Sequence, residues 1–211
     1  MFDGPGFWPI ASAARLLCSL SDFPTVEEID RALKDLAGVS FTAQVALSKR
    51  QRRRAPPAPY DLAIARGSVP TREGSWHDLM NALVWATFPI AKRAIHALQA
   101  QEIESARAAG WTGRRTRKHD ALAVLDEGGV LLVGPGSAQV VFGHALFEAV
   151  AIEGPRPLVR ALRLPGEFDP RDLGAVDRAL AGLLMSPDAP TSPKSLEALA
   201  PSAFELSVRL R

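Results

Sequence analysis

The sequence predicts an α+β fold, a small and mostly antiparallel sheet covered by helices in a single domain. Three observations predict it. The chain has 211 residues, 47% hydrophobic and 23% charged, enough apolar material for a substantial core and too much for wholesale disorder. Between Ser75 and Gln99 runs a helical pattern that is apolar nearly all round, as in a helix enclosed by other elements. Around residues 120–133 two apolar runs flank Asp126-Glu127-Gly128-Gly129, as in a hairpin covered on both faces.

Taken in order, Phe2, Phe7, Trp8 and Ile10 form an aromatic N-terminal arm broken by Pro5 and Pro9. Thr25 followed by Glu28 makes a capping box, and Val26, Ile29, Leu33 and Leu36 keep helical spacing until Gly38. Residues 39–47 read as a strand, leading through a basic run into the loop Ala-Pro-Pro-Ala-Pro. Ser75 caps the apolar helix carrying Trp76, Leu79, Met80, Leu83 and Val84. Pro89 forces a kink or a fresh start before a second helix to Gly110. After the hairpin, residues 139–142 form a strand, Gly143 opens a short helix, residues 157–164 form a further strand and Leu173–Met185 a helix. This organisation gives one domain over residues 1–186 and a Pro/Ser-rich tail over residues 187–211. The sheet is expected to unite the strands at 39–47, 121–133 and 139–142. The sequence contains no internal repeat, which excludes solenoids and propellers.

No window approaches a membrane span and the N-terminus lacks a signal-peptide pattern, so the expected setting is cytoplasmic. The single cysteine, Cys18, excludes an internal disulfide and any multi-cysteine metal site. The net charge of +2 hides an asymmetry: ten of the 25 basic residues lie in two acid-free runs, Lys49–Arg54 and Arg107–Lys118. Without them the rest of the chain is net −8, an acidic body carrying two basic segments. Arg114, Arg115 and Arg117, beside the stacking surface of Trp111, are candidates for binding an anionic small molecule or nucleic acid.

The candidate chemistry lies on the helices. His77 and Asn81 share a face, with Asp78 alongside, and polar groups on a buried helix must be hydrogen-bonded, bind a ligand or line a cavity. Asp78 also fits the position of a helix-capping acid. His144 and Glu148 form a second same-face pair, able to hold a metal ion or to fix one imidazole tautomer. Asp120, Asp126 and Glu127 flank the hairpin strand as carboxylates able to serve a divalent metal or proton transfer. Asp126 and Glu127 also fit a tight turn, which is the favoured reading, and Asp120 abuts the basic Arg117 and Lys118. Phosphate-binding glycine loops, nucleophile elbows and HExxH motifs are lacking.

Three blocks in order, Gly67-Ser-Val-Pro-Thr-Arg-Glu-Gly-Ser-Trp-His-Asp-Leu-Met-Asn-Ala-Leu-Val-Trp continuing to Lys92, Asp120-Ala-Leu-Ala-Val-Leu-Asp-Glu-Gly-Gly-Val, and Phe142-Gly-His-Ala-Leu-Phe-Glu, resemble the bacterial family known as domain of unknown function 3025. The resemblance implies motif positions at Trp76, His77, Asp78, Asn81, Trp85, Pro89, Lys92, Asp120, Asp126, Glu127, His144 and Glu148, and implies no activity. His96 and His119 depart from the family pattern, as does the C-terminus. The expectation is a hydrolase-like enzyme for a phosphorylated or otherwise anionic substrate. His77, Asp78, Asn81, Asp120 and His144 would form its site, with His77 and His144 on a divalent metal and Lys92 stabilising negative charge. The alternative is a non-catalytic module whose basic loops engage nucleic acid or an acidic protein.

Overall fold

The structure, a computed structural model, describes residues 5–18, 22–44, 60–110, 115–152 and 158–199. The basic run Lys49–Arg54, the Ala-Pro-Pro-Ala-Pro loop, Trp111 and Arg114 lie outside those residues. The aromatic arm enters as a short 3-10 turn, Pro5–Phe7, and a helix, α1 (Ala11–Arg15). Phe7 stacks on Phe147 with ring centroids 6.1 Å apart.

Helix α2 (Val26–Ala37) begins at the expected capping box: Thr25 Oγ1 accepts from the Glu28 amide, and the Thr25 amide donates to the Glu28 carboxylate. It ends at Gly38, whose left-handed φ of 63° a β-carbon would strain. Then come β1 (Ser40–Ala43), α3 (Tyr60–Ile64) and β2 (Ser68–Thr71). Strands β1 and β2 pair in parallel, Phe41 opposite Val69, as a sheet of their own. The 39–47 strand is therefore a four-residue strand among the described residues, and it does not join the others as expected. Its partner β2 contains Pro70, which gives no ladder hydrogen bond and masks the strand from a pattern reading.

The centre of the molecule is α4 (Trp76–Thr87), followed without a loop by α5 (Pro89–Ala108). Pro89 occupies the first turn of α5, where its missing N–H costs nothing, and Phe88 takes the extended φ of −126° that precedes a proline. Leu79, Met80, Ala82, Leu83, Val84 and Trp85 are all buried, in keeping with an enclosed helix.

The expected hairpin over 120–133 is corrected. Residues 117–128 form a helix, α6 (Arg117–Gly128), whose N-cap Thr116 accepts from the His119 amide. Only β3 (Gly129–Val133) is a strand, and its antiparallel partner is β4 (Ala138–Val141). Ala121, Leu122 and Leu125 pack inward at helical spacing, and a run of five apolar residues cannot by itself distinguish the two periods. The remaining elements are α7 (His144–Ala151), β5 (Arg160–Arg163), α8 (Leu173–Leu184) and a two-residue strand, β6 (Glu197–Ala198), from the Pro/Ser-rich segment. The second sheet has the order β4-β3-β5-β6, with β3 and β5 parallel and both edge pairs antiparallel. The fold class is thus α+β with small sheets. No described helix is long and apolar enough to cross a membrane.

One tertiary contact replaces a missing local cap. Phe88 precedes α5 and offers no side-chain acceptor, but the Asp177 carboxylate of α8 accepts from the Ile90 and Ala91 amides at 3.0 and 2.8 Å. Asp177→Ala should cost about 1–3 kcal/mol, seen as a lowered midpoint in urea denaturation, with partial recovery in Asp177→Asn, which keeps an acceptor.

Candidate metal centre

Three glycines bring the site's elements together. Phe142 and Gly143 both donate backbone N–H to Gly129 O, at 3.0 and 2.9 Å, pinning the start of α7 against the end of α6. A β-carbon on Gly143 would lie 2.4 Å from Gly129 N and 2.5 Å from Glu127 O, closer than real contacts allow. On Gly128 it would lie 2.2 Å from the Leu158 carbonyl oxygen. These glycines serve close backbone approach and not a turn, and the approach places Glu127, on the last turn of α6, beside His144, the first residue of α7.

The two histidines meet. His77 Nε2 and His144 Nε2 are 3.0 Å apart, with Glu127 Oε2 3.5 Å from the latter and 3.9 Å from the former. Ligands on one ion at about 2.1 Å are separated by about 3.0 Å at right angles and about 3.4 Å at the tetrahedral angle. Two nitrogens and a carboxylate oxygen therefore already stand close to one coordination sphere, and only the longest edge must close, by roughly half an ångström.

Glu148 does not pair with its helix neighbour His144. Its Oε2 lies 2.8 Å from His77 Nδ1, across to α4. A carboxylate accepts, so His77 carries its proton on Nδ1 and presents a bare Nε2, the arrangement of a metal-binding histidine held by a second carboxylate. His144 is buried, which with the Lys92 charge outweighs nearby Asp126 and brings its imidazole down to about 3, so it is neutral at pH 7. Burial and the Asp126 charge push the Glu127 carboxyl up.

Behind these groups lies a buried polar layer. Lys92 is fully buried; its ammonium donates to Asp126 Oδ1 and, at 2.8 Å, to Asn81 Oδ1, and sits 5.5 Å from the Trp85 ring centre. Burial alone would raise the Asp126 carboxyl, but the Lys92 ammonium, helped by His144 and His96, holds it well below the usual carboxylate range. Asp61 accepts from His96 Nδ1 at 3.0 Å and His119 Nε2 at 3.3 Å, and despite its burial those two imidazoles lower its carboxyl. A cavity of about 480 Å³ connects the groups: His77, Glu127 and His144 line one part, and Tyr60, Asp61, His96, Gln99 and His119 another.

The structure thus brings together His77, Asn81 and His144 from the sequence-derived set. Asp78 lines the cavity too, but its carboxylate is bound by the Arg72 amide and guanidinium. Lys92 lies behind the cavity wall, bonded to Asp126. Asp120, in the first turn of α6, is not among the residues lining the cavity. Of the basic residues, Arg115 lines it; Arg117 is exposed on α6, and Lys118 lies 3.8 Å from Glu102. Glu127, Asp126, Tyr60, Asp61, His96, Gln99 and His119 were not in the set. One signal was present: Lys92, His96 and Gln99 form a polar stripe at i, i+4 and i+7 on the same face of α5. Asp61 and Tyr60 carry no comparable signal.

Residues 41–140 match the model of the family described as "Protein of unknown function (DUF3025)". The match supports the resemblance drawn from the sequence blocks; the first two blocks lie inside the matched span and the Phe142–Glu148 block just beyond it. No curated protein matches the sequence. Among solved structures, a variant of C. violaceum phenylalanine hydroxylase is similar with a TM-score of 0.45 and 15% identity, over 65% of this chain and 49% of that one. This chain spans about half the length of that protein, and a likeness of that size carries no argument about the reaction.

The Lys92–Asp126 pair allows a prediction with a definite sign in pH. The depressed Asp126 carboxyl contributes stability that is present above about pH 4 and is lost as pH falls toward its lowered value. Lys92→Met removes the partner and leaves a buried carboxylate, at an expected cost of about 3–5 kcal/mol near neutrality. Denaturant melts should show that deficit largest at pH 7 and shrinking toward pH 3, where Asp126 in the variant is protonated.

Proposed function

We propose that this member of the DUF3025 family is a divalent-metal-dependent, hydrolase-like enzyme for an anionic substrate, with His77, His144 and Glu127 as the metal ligands. The observation that supports this reading most is the triangle of donor atoms with edges of 3.0, 3.5 and 3.9 Å, reinforced by Glu148 on His77 Nδ1. Three protein ligands leave coordination positions open for water and substrate, the pattern of catalytic and not of closed structural sites. An ion there would lower the pKa of a bound water toward about 7 and neutralise Glu127.

The chain's own groups have distinct parts in this reading. Glu148 fixes the His77 ring, and Gly143 lets His144 stand beside Glu127. Arg115, on the cavity wall with no acid partner among the described residues, would hold the substrate's anionic group. In the hydrolytic step the water oxygen bonds to the substrate's phosphorus or carbonyl carbon, the bond to the leaving group breaks, and the water's proton ends on the leaving group.

Elemental analysis and calorimetric titration with Zn²⁺, Mn²⁺ or Fe²⁺ test the reading. One ion per chain is expected, lost in His77→Ala and His144→Ala, with Glu148→Gln weakening affinity about 10- to 100-fold. The metal-loaded protein should hydrolyse aryl phosphate or aryl ester probes and the chelated protein should not. Failure of all three ions to bind, or binding by His144→Ala equal to wild type, would overturn it.

A further inference from the structure

The direction of a short hydrogen-bond chain can be read from chemistry alone. Lys92 Nζ can only donate, so the Asn81 atom 2.8 Å from it is the carbonyl oxygen, and the Asn81 amide is turned with Nδ2 away from the lysine. Nδ2 also only donates, and at 2.9 Å it donates to Tyr60 Oη. The phenol oxygen is therefore the acceptor in that contact and its own hydrogen is left over. Among the described residues no acceptor takes it. Tyr60 lines the cavity and is 39% exposed, so the hydroxyl hydrogen has a ligand space to enter.

We infer that the Tyr60 hydroxyl donates a hydrogen bond to an oxyanion of a phosphate-like ligand in this cavity, and that Lys92 and Asn81 are the positioning residues that aim it. Each donation polarises the next, so the buried ammonium strengthens the final O–H as a donor. The surrounding carboxylates do not forbid an anion there. Asp78 is bonded to Arg72, Asp126 to Lys92, and Asp61 accepts from two imidazoles, while Arg115, with no acid partner among the described residues, adds a cation. The Tyr60 ring makes an edge contact with the His96 ring, centroids 6.0 Å apart. This inference rests on the reading above for the anionic class of substrate, and not for the metal.

Tyr60 is the single tyrosine of the chain, which makes the test direct. Protein labelled with ¹³C at the tyrosine Cζ gives one resonance to follow while inorganic phosphate is titrated into chelator-stripped and zinc-loaded samples. The resonance should move saturably with the dissociation constant measured by calorimetry on the same samples. Tyr60→Phe, which keeps the ring and loses the hydroxyl, should bind phosphate roughly tenfold or more weakly, as for a lost charge-assisted hydrogen bond. In Asn81→Asp the new carboxylate oxygen would accept the Tyr60 hydrogen, and the resonance should stop responding to phosphate. No phosphate binding, binding that leaves the resonance still, or wild-type affinity in Tyr60→Phe overturns the inference. Zinc content separates the two readings: one zinc per chain with a silent tyrosine leaves the metal centre standing, and a responding tyrosine without zinc does the reverse.

Discussion

A buried ammonium is the constraint around which the site is arranged. Taking the Lys92 charge out of water costs several kcal/mol unless an anion and further acceptors meet it, and the chain meets it with Asp126 from α6 and Asn81 from α4. Three helices are therefore held in mutual register by one side chain, with Trp85 beneath the ammonium. The pairing also decides where the next residue goes. Successive residues on a helix diverge by about 100°, so with Asp126 turned inward to Lys92, Glu127 is turned toward the cavity edge, where both histidines stand. The ion pair contributes to the candidate site by orientation, without touching a ligand.

Much of the helical frame was legible in the sequence because its signals are local. The Thr25 capping box, the Ser75 cap and Pro89 each act within one turn, and α2, α4 and α5 begin where those residues say. The strand reading of residues 120–125 failed for an equally physical reason. Ala-Leu-Ala-Val-Leu satisfies both periods, and the evidence for a helix, Thr116 at its cap and Lys92 opposite Asp126, is partly long-range. The Gly128-Gly129 pair then acquired a turn-like meaning, whereas its role is to let α6, β5 and α7 approach within backbone contact.

The candidate site shows the same division. His77, Asn81 and His144 were visible as polar residues on apolar helices, and the structure brings them together. Glu148 was visible too, but its natural partner by spacing was His144 one turn earlier, and the observed partner is His77 on another helix. Helical spacing tells which side chains share a face and not which face meets them. Asp61 lay beyond reach altogether: its position on the five-residue α3 becomes meaningful only because His96 and His119, on two other helices, converge on its two oxygens.

That division bears on charge. The acidic body of the chain carries its cavity carboxylates in committed pairs, Asp78 with Arg72, Asp126 with Lys92 and Asp61 with two imidazoles. Each committed acid stops repelling an anion while still fixing a neighbour in place. Uncommitted among the described cavity groups are Glu127 beside its two histidines, the Tyr60 hydroxyl hydrogen, the Arg115 guanidinium, and His96 Nε2, Gln99 Oε1 and His119 Nδ1. Arg115 belongs to the second basic run, and Tyr60 follows the first run by six residues. The second acid-free segment thus adjoins the cavity through Arg115, while the first lies outside the described residues. In the proposed reading, such a pocket offers donors and a cation to an anionic ligand, and His77, His144 and Glu127 to a metal ion.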